Sequence, residues 1–200
     1  MDAEAWDERY AASELVWSAG PNQFVADALG DLPPGRATDL AAGEGRNAIW
    51  LARRGWAVTA VDFSQVALDK GRRVAGDAEV DWVRGDATTW RPAEPVDLVV
   101  VAYLHLPADQ RRAALRGAVG SLAPGGTFFL VGHDTTNIAE GTGGPQDPTV
   151  LSTAEDVLAD LEGLDVDVVR AERVARRVEP EHGGEPDRVA WDCLVHLVRG

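Results

Sequence analysis

The stretch ATDLAAGEGRNAIWLARRGWAVTAVDFS, residues 37–64, constrains the fold more than any other part of the chain. Residues 38–42 are apolar apart from Asp39, and a glycine turn, Gly43-Glu44-Gly45, follows. Over residues 45–54, Ala48, Ile49, Leu51 and Ala52 recur at helical spacing. Residues 57–61 then form a second apolar strand that ends at Asp62. A strand, glycine turn, helix and strand ending in a carboxylate make a unit that holds an adenosine-containing ligand.

The same alternation continues. PNQFVADALG predicts a short helix over 22–29, broken by Pro-Pro-Gly before the first strand. Ser64 is placed to cap a helix running to about residue 74. VDWV is a short strand followed by the turn RGDATTW, and VDLVVVAYL is a continuous apolar run, as expected of a strand buried on both faces. Pro107 suits the first turn of a helix running to residue 122, with APGG ending it, and TFFLVGHD is a fifth strand. Ser152 and Glu155 match a capping box for the helix TAEDVLADL. Two long strand-like runs, VDVVRAERVARRV and RVAWDCLVHLVR, close the chain around the turn-rich EPEHGGEPD. The pattern predicts an α/β fold: a doubly wound, mostly parallel seven-stranded sheet with an antiparallel C-terminal strand pair. With no linker between units, one domain is expected over 1–200, with 1–34 a helical lid segment and 35–200 the sheet core.

Composition narrows the function classes. A 200-residue chain with 45% hydrophobic content can bury a substantial core. No apolar run is long enough to span a bilayer, and the acidic, amphipathic N-terminus lacks the pattern of a signal peptide, so a cytoplasmic protein is expected. The net charge of −14 would repel phosphate backbones and anionic membranes, which points to a small-molecule partner rather than nucleic acid or membrane. Monomer and homodimer both fit. A single cysteine, Cys193, excludes an internal disulfide and a thiolate metal cluster, and Lys70 as the only lysine argues against Schiff-base chemistry.

The ligand could be a nicotinamide dinucleotide or a sulfonium cofactor. GEGRNA fits G-x-G-x-x-A, with Asp62 nineteen residues after Gly43, but both cofactor types use glycines and an acidic ribose acceptor at such positions. Three features favour the sulfonium. Asp39 and Glu44 put carboxylates where a pyrophosphate would meet the helix N-terminus. Asp86 in GDA adds another at the same sheet edge, placed for an adenine amino group. An antiparallel C-terminal pair is also not how a two-halved nicotinamide domain ends.

These residues resemble class I S-adenosylmethionine-dependent methyltransferases, in particular the small bacterial group with the tellurite-resistance and thiopurine enzymes. The resemblance runs through WDERY, WSAGPNQFV, DLAAGEGRNAIWLARRGWAVTAVDFS, GDA, VDLVVVAYLHLP and LAPGGTFFLVGHD. It departs from the family's D-x-G-x-G-x-G at Ala41, where alanine must keep φ negative or accept some strain. It implies methyl transfer from S-adenosyl-L-methionine, with S-adenosyl-L-homocysteine as product. Asp39, Ala41, Gly43 and Gly45 would line the methionine part, and Arg46 and Asn47 would meet its carboxylate. Asp62 would take the ribose hydroxyls, Phe63 would pack beside the adenine, and Ser64 joins the cofactor-binding set. Asp86 and Ala87 would reach the adenine edge, Ala102, Tyr103 and Leu104 would form the floor under the sulfonium, and Tyr10 and Trp17 would belong to a lid.

Methyl transfer needs alignment and a dry site more than a catalytic side chain. Where the acceptor is a hydroxyl or amine, His105, His133 and Asp134, just beyond the fourth and fifth strands, are the base candidates, though His133-Asp134 could equally be polar residues closing a strand. No metal site is expected. The glycine-rich NIAEGTGGPQDPTVLS, residues 137–152, could be a lid over the acceptor. Two further readings stay open: a nicotinamide-dependent oxidoreductase and a non-catalytic protein that binds the sulfonium cofactor.

Overall fold

A computed structural model describes residues 3–11, 20–178 and 188–200. Seven strands form one sheet: β1 (Arg36–Leu40), β2 (Ala57–Asp62), β3 (Val80–Arg84), β4 (Val96–Ala102), β5 (Leu122–His133), β6 (Val166–Val178) and β7 (Arg188–Arg199). Their order is β3-β2-β1-β4-β5-β7-β6. The first five are parallel, and β7 runs antiparallel between β5 and β6. This is the expected doubly wound sheet with its antiparallel C-terminal pair. The helices are α1 (Ala3–Ala11), α2 (Gln23–Leu29), α3 (Arg46–Ala52), α4 (Gln65–Ala75), α5 (Ala108–Gly120), α6 (Asn137–Glu140) and α7 (Ala154–Asp160).

Period-two alternation in β4 explains why its run is apolar throughout. Leu98 and Val100 pack with Val25, Leu29, Leu51 and Trp56 on one face, while Val99 and Val101 pack with Leu115, Val119, Val157 and Leu161 on the other. All four β4 side chains are buried, each contributing about 1.5–3 kcal/mol relative to exposure. No helix among the described residues is long and apolar enough to cross a membrane.

Local chemistry sets the helix starts. The Asn22 side chain accepts from the backbone N–H of Phe24 and Val25, and Ser64 Oγ accepts from Ala67 N at 3.1 Å. The capping box of α7 sits one residue later than expected: Thr153 Oγ1 accepts from Asp156 N, and Asp156 Oδ2 accepts from Thr153 N at 2.9 Å. Ser152 instead lines a small cavity beside His133. APGG does not close a helix either. Helix α5 stops at Gly120, and APGG is an excursion inside β5, where pairing with β4 jumps from Val96↔Leu122 to Leu98↔Thr127.

The N-terminal helix is held from α4. Asp7 accepts from Ser64 Oγ and from Val66 N, and Lys70 Nζ donates to the Tyr10 carbonyl.

Candidate active site

Strands β2 and β4 leave β1 in opposite directions, and a cleft of about 220 Å³ opens at their C-terminal ends. That is the topological switch point where open α/β sheets bind ligands. Strand β1 stops at Leu40 because the backbone then turns left-handed at Ala41 (φ 61°), Gly43 (φ 57°) and Gly45 (φ 76°). Ala41 thus takes the strained alternative, at a cost of about 1–2 kcal/mol. Gly45 has a second reason to be glycine: a Cβ there would run into the Trp82 ring.

Two carboxylates organise this turn. Asp39 Oδ2 accepts from Ala48 N at 3.0 Å and fixes the start of α3. Its Oδ1 is buried with no hydrogen-bond partner among the described residues. Burial pushes the Asp39 carboxyl up to about 7, despite the Ala48 hydrogen bond and the nearby Arg46 charge. Asp62 accepts from Gly43 N at 2.8 Å and from Ser64 N at 2.9 Å. Burial raises its pKa too, against those two hydrogen bonds.

The far wall is built after β4. Tyr103 is also left-handed (φ 58°), which aims its ring across the cleft. Its hydroxyl donates to Asp192 Oδ2 at 2.8 Å and lies 3.2 Å from Asn22 Nδ2. Burial, reinforced by the Asp192 charge, raises the phenol pKa. The Arg46 and Arg176 guanidinium groups lie 5.8 and 5.6 Å from the Tyr103 ring centroid. Burial lowers the Arg46 pKa. The rings of His105 and His133 stack with centroids 5.5 Å apart, and burial, followed by the neighbouring His133, lowers His105 to about 4.

Most of the sequence-predicted residues converge here. Tyr10, Ala41, Gly43, Gly45, Arg46, Asn47, Asp62, Phe63, Asp86, Ala87, Ala102, Tyr103, Leu104 and His105 all line the cleft. Asn47 is also structural, since its Oδ1 accepts from Asn22 N at 2.9 Å. Asp39 sits behind the turn, and Ser64 faces Asp7 on α1. His133 lines the small adjoining cavity, which shares Leu104 and His105 with the cleft. Asp134 borders neither: its Oδ1 accepts from Thr136 N and Thr136 Oγ1, closing a turn. Trp17 falls outside the described residues.

Sequence reasoning missed Trp6, which lines the cleft with Tyr10 one helical turn away, their rings 5.5 Å apart. The i, i+4 spacing of the two aromatics in WDERY was the available signal. It also missed Asp192 and Arg176, which meet through Arg176 Nε and Asp192 Oδ2 at 2.7 Å.

Comparison with known proteins follows this geometry. The family profile described as "Methyltransferase domain" matches residues 37–126, the cleft-forming half of the sheet. Thiocyanate methyltransferase 1 of Brassica oleracea is 30% identical over 167 residues, 79% of this chain and 73% of that protein. The chain belongs to the class I S-adenosylmethionine-dependent methyltransferases. Two solved structures show the same fold at low identity. TehB from Haemophilus influenzae superposes with TM-score 0.74 at 14% identity, over 99% of this chain and 67% of that one. NodS, an N-methyltransferase from Bradyrhizobium japonicum WM9 in complex with S-adenosyl-L-homocysteine, gives 0.72 at 20% identity over 98% and 97%. Two bacterial methyltransferases, 32% and 31% identical, are longer, and this chain spans 49% and 45% of them.

Proposed function

We propose that this protein transfers a methyl group from S-adenosyl-L-methionine to a heteroatom of a small-molecule acceptor, leaving S-adenosyl-L-homocysteine. The observation that carries the reading is the acidic glycine turn: the Asp62 carboxyl lines the cleft, held by the Gly43 and Ser64 N–H groups, with Asp39 buried behind it. A carboxyl buried at the end of an apolar strand costs stability unless it is partnered, and a ligand donor adds to the two backbone partners that Asp62 has. A cationic, phosphate-free ligand suits that site; the pyrophosphate of a dinucleotide would bring a further anion to a turn that already holds Asp39, Glu44 and Asp62.

The residues present fit such a cofactor. Asp62, rigidly oriented by two backbone N–H groups, is the ribose acceptor, while Phe63, Asp86 and Ala87 hold the adenine. Arg46 meets the methionine carboxylate, and Tyr103 and Leu104 form the floor. Helix α1 closes the cleft with Tyr10 and Trp6, in line with a lid segment on a single sheet domain. When bound, the cofactor supplies an electrophilic methyl group; the chain supplies alignment and exclusion of water. Such positioning can lower a barrier by roughly 7–11 kcal/mol. His105, neutral near pH 7, and His133 face the acceptor side. The 137–152 segment covers His133: a Cβ on Gly144 would lie 2.6 Å from the imidazole Cδ2.

Incubation with methyl-labelled cofactor and a panel of thiols, phenols, amines and oxyanions tests the reading. Label in an acceptor supports it. Cofactor binding with no transfer to any class favours a non-catalytic binding protein. Replacing residues 141–148 with a short linker is expected to change acceptor KM far more than cofactor Kd; an unchanged KM removes the lid role.

A further inference from the structure

Three polar groups from distant parts of the chain meet at one carboxylate. Asp192, on β7, is fully buried. Its Oδ2 accepts from the Tyr103 hydroxyl at 2.8 Å and from Arg176 Nε at 2.7 Å. Its Oδ1 lies 3.2 Å from His133 Nδ1 without a hydrogen bond between them, and neither atom has another partner among the described residues. Burial acts to raise the Asp192 pKa, yet the contacts with His133, Arg176 and Tyr103 hold it below the usual carboxylate range, so the group is anionic at neutral pH.

An anionic oxygen facing Nδ1 favours the tautomer with the proton on Nδ1, which leaves the Nε2 lone pair open. Nε2 sits under the glycine loop: a Cβ on Gly144 would lie 2.8 Å from it. Gly143 (φ 72°) and Gly144 (φ 75°) let that backbone pass close over the ring. The other side of the imidazole is covered by His105, and Tyr103 lies 5.1 Å away, centroid to centroid. The ring is therefore backed by Asp192, flanked by His105 and Tyr103, and roofed by the glycine loop, which has to lift for an acceptor to reach Nε2.

We propose that Asp192 is a positioning residue that holds His133 as a proton acceptor through Nε2, and that the acceptor is a nucleophile that still carries its proton. This rests on the methyl-transfer reading of the cleft. In the step it implies, the acceptor heteroatom bonds to the methyl carbon while its proton passes to His133 Nε2. The C–S bond that breaks leaves its electron pair on sulfur, and the imidazolium beside Asp192 later returns the proton to water. A hydroxyl, amine or thiol fits this arrangement. A preformed anion such as thiocyanate has no proton to give and no use for it.

Long-range ¹H–¹⁵N NMR of histidine-labelled protein at pH 7 tests the proposal directly, with His133→Gln assigning the signal. The expected result is His133 with Nδ1 protonated, and at least half of the population moved to the Nε2–H form in Asp192→Asn. S-adenosylhomocysteine affinity should stay within about twofold in that variant. A wild-type ring protonated on Nε2 overturns the proposal and needs no variant to be read. Absence of S-adenosylhomocysteine binding would instead sink the reading of the cleft. With labelled cofactor, a phenol probe should accept methyl and lose at least tenfold in Asp192→Asn. Turnover of thiocyanate alone, or a phenol rate indifferent to the substitution, contradicts the acceptor class.

Discussion

Lys70 Nζ lies 3.3 Å from Glu44 Oε1, and both side chains are buried. The chain's only lysine thus joins three segments: it sits on α4, reaches the glycine turn through Glu44, and donates to the Tyr10 carbonyl on α1. Helix α1 and the glycine turn are braced by one side chain. Lys70→Met keeps the volume and removes the charge, which strips a buried cation from Glu44. A loss of about 3–5 kcal/mol in urea denaturation is expected. A loss under 1 kcal/mol would mean that the pair is dispensable.

Ala41→Gly is expected to stabilise the protein. The substitution releases a left-handed alanine, worth about 1–2 kcal/mol, against the extra unfolded-state entropy of glycine. A net gain of about 0.5–1 kcal/mol should appear in thermal or urea unfolding. A destabilised variant would show that the methyl group packs better than its backbone angle suggests.

Trp82 on β3 is clamped between two glycines, since a Cβ on Gly45 or on Gly71 would run into its ring. Gly71→Ala should therefore cost about 1–3 kcal/mol through overpacking alone. Gly45→Ala should cost more, because φ is also positive there. Gly120, with nothing within 4 Å of its would-be Cβ, is the control: Gly120→Ala should be neutral or stabilising.

The Asp39 carboxyl carries a pH signature. Its folded value of about 7 lies above the ordinary 3.8, so between those limits the folded chain keeps a proton that the unfolded chain has released. Its contribution to stability is therefore greatest below pH 4 and falls as the pH rises to 7. Subtracting the Asp39→Asn profile from the wild type should expose that decline across pH 4–7. A flat difference would place the Asp39 pKa in the ordinary range.

Legibility followed the distance over which each signal acts. The strand–turn–helix–strand unit was readable because turn glycines, apolar periodicity and a terminal Asp62 are local. The errors were local conflicts between two rules. APGG looks like a helix stop but forms a bulge inside β5, and Ser152 and Thr153 are both competent caps one residue apart. The Tyr103–His133–Arg176–Asp192 cluster was not legible as a cluster, because only the β4-β5-β7-β6 pairing brings those positions together. One clue was present: Asp192 interrupts an apolar strand, where a buried carboxylate costs stability unless it has a partner. Trp6 was hidden by its neighbour Tyr10, which took the aromatic role in the reading of WDERY.

The central claim is that the cleft at the β1–β4 switch point takes the sulfonium cofactor. Isothermal titration calorimetry with S-adenosylhomocysteine, and with NADH and NADPH in parallel, tests it most directly. Micromolar binding of S-adenosylhomocysteine, and none of the nicotinamide cofactors, is the predicted result. Binding of a nicotinamide cofactor without S-adenosylhomocysteine would contradict the account and withdraw the roles given to Asp39, Asp62 and Asp86.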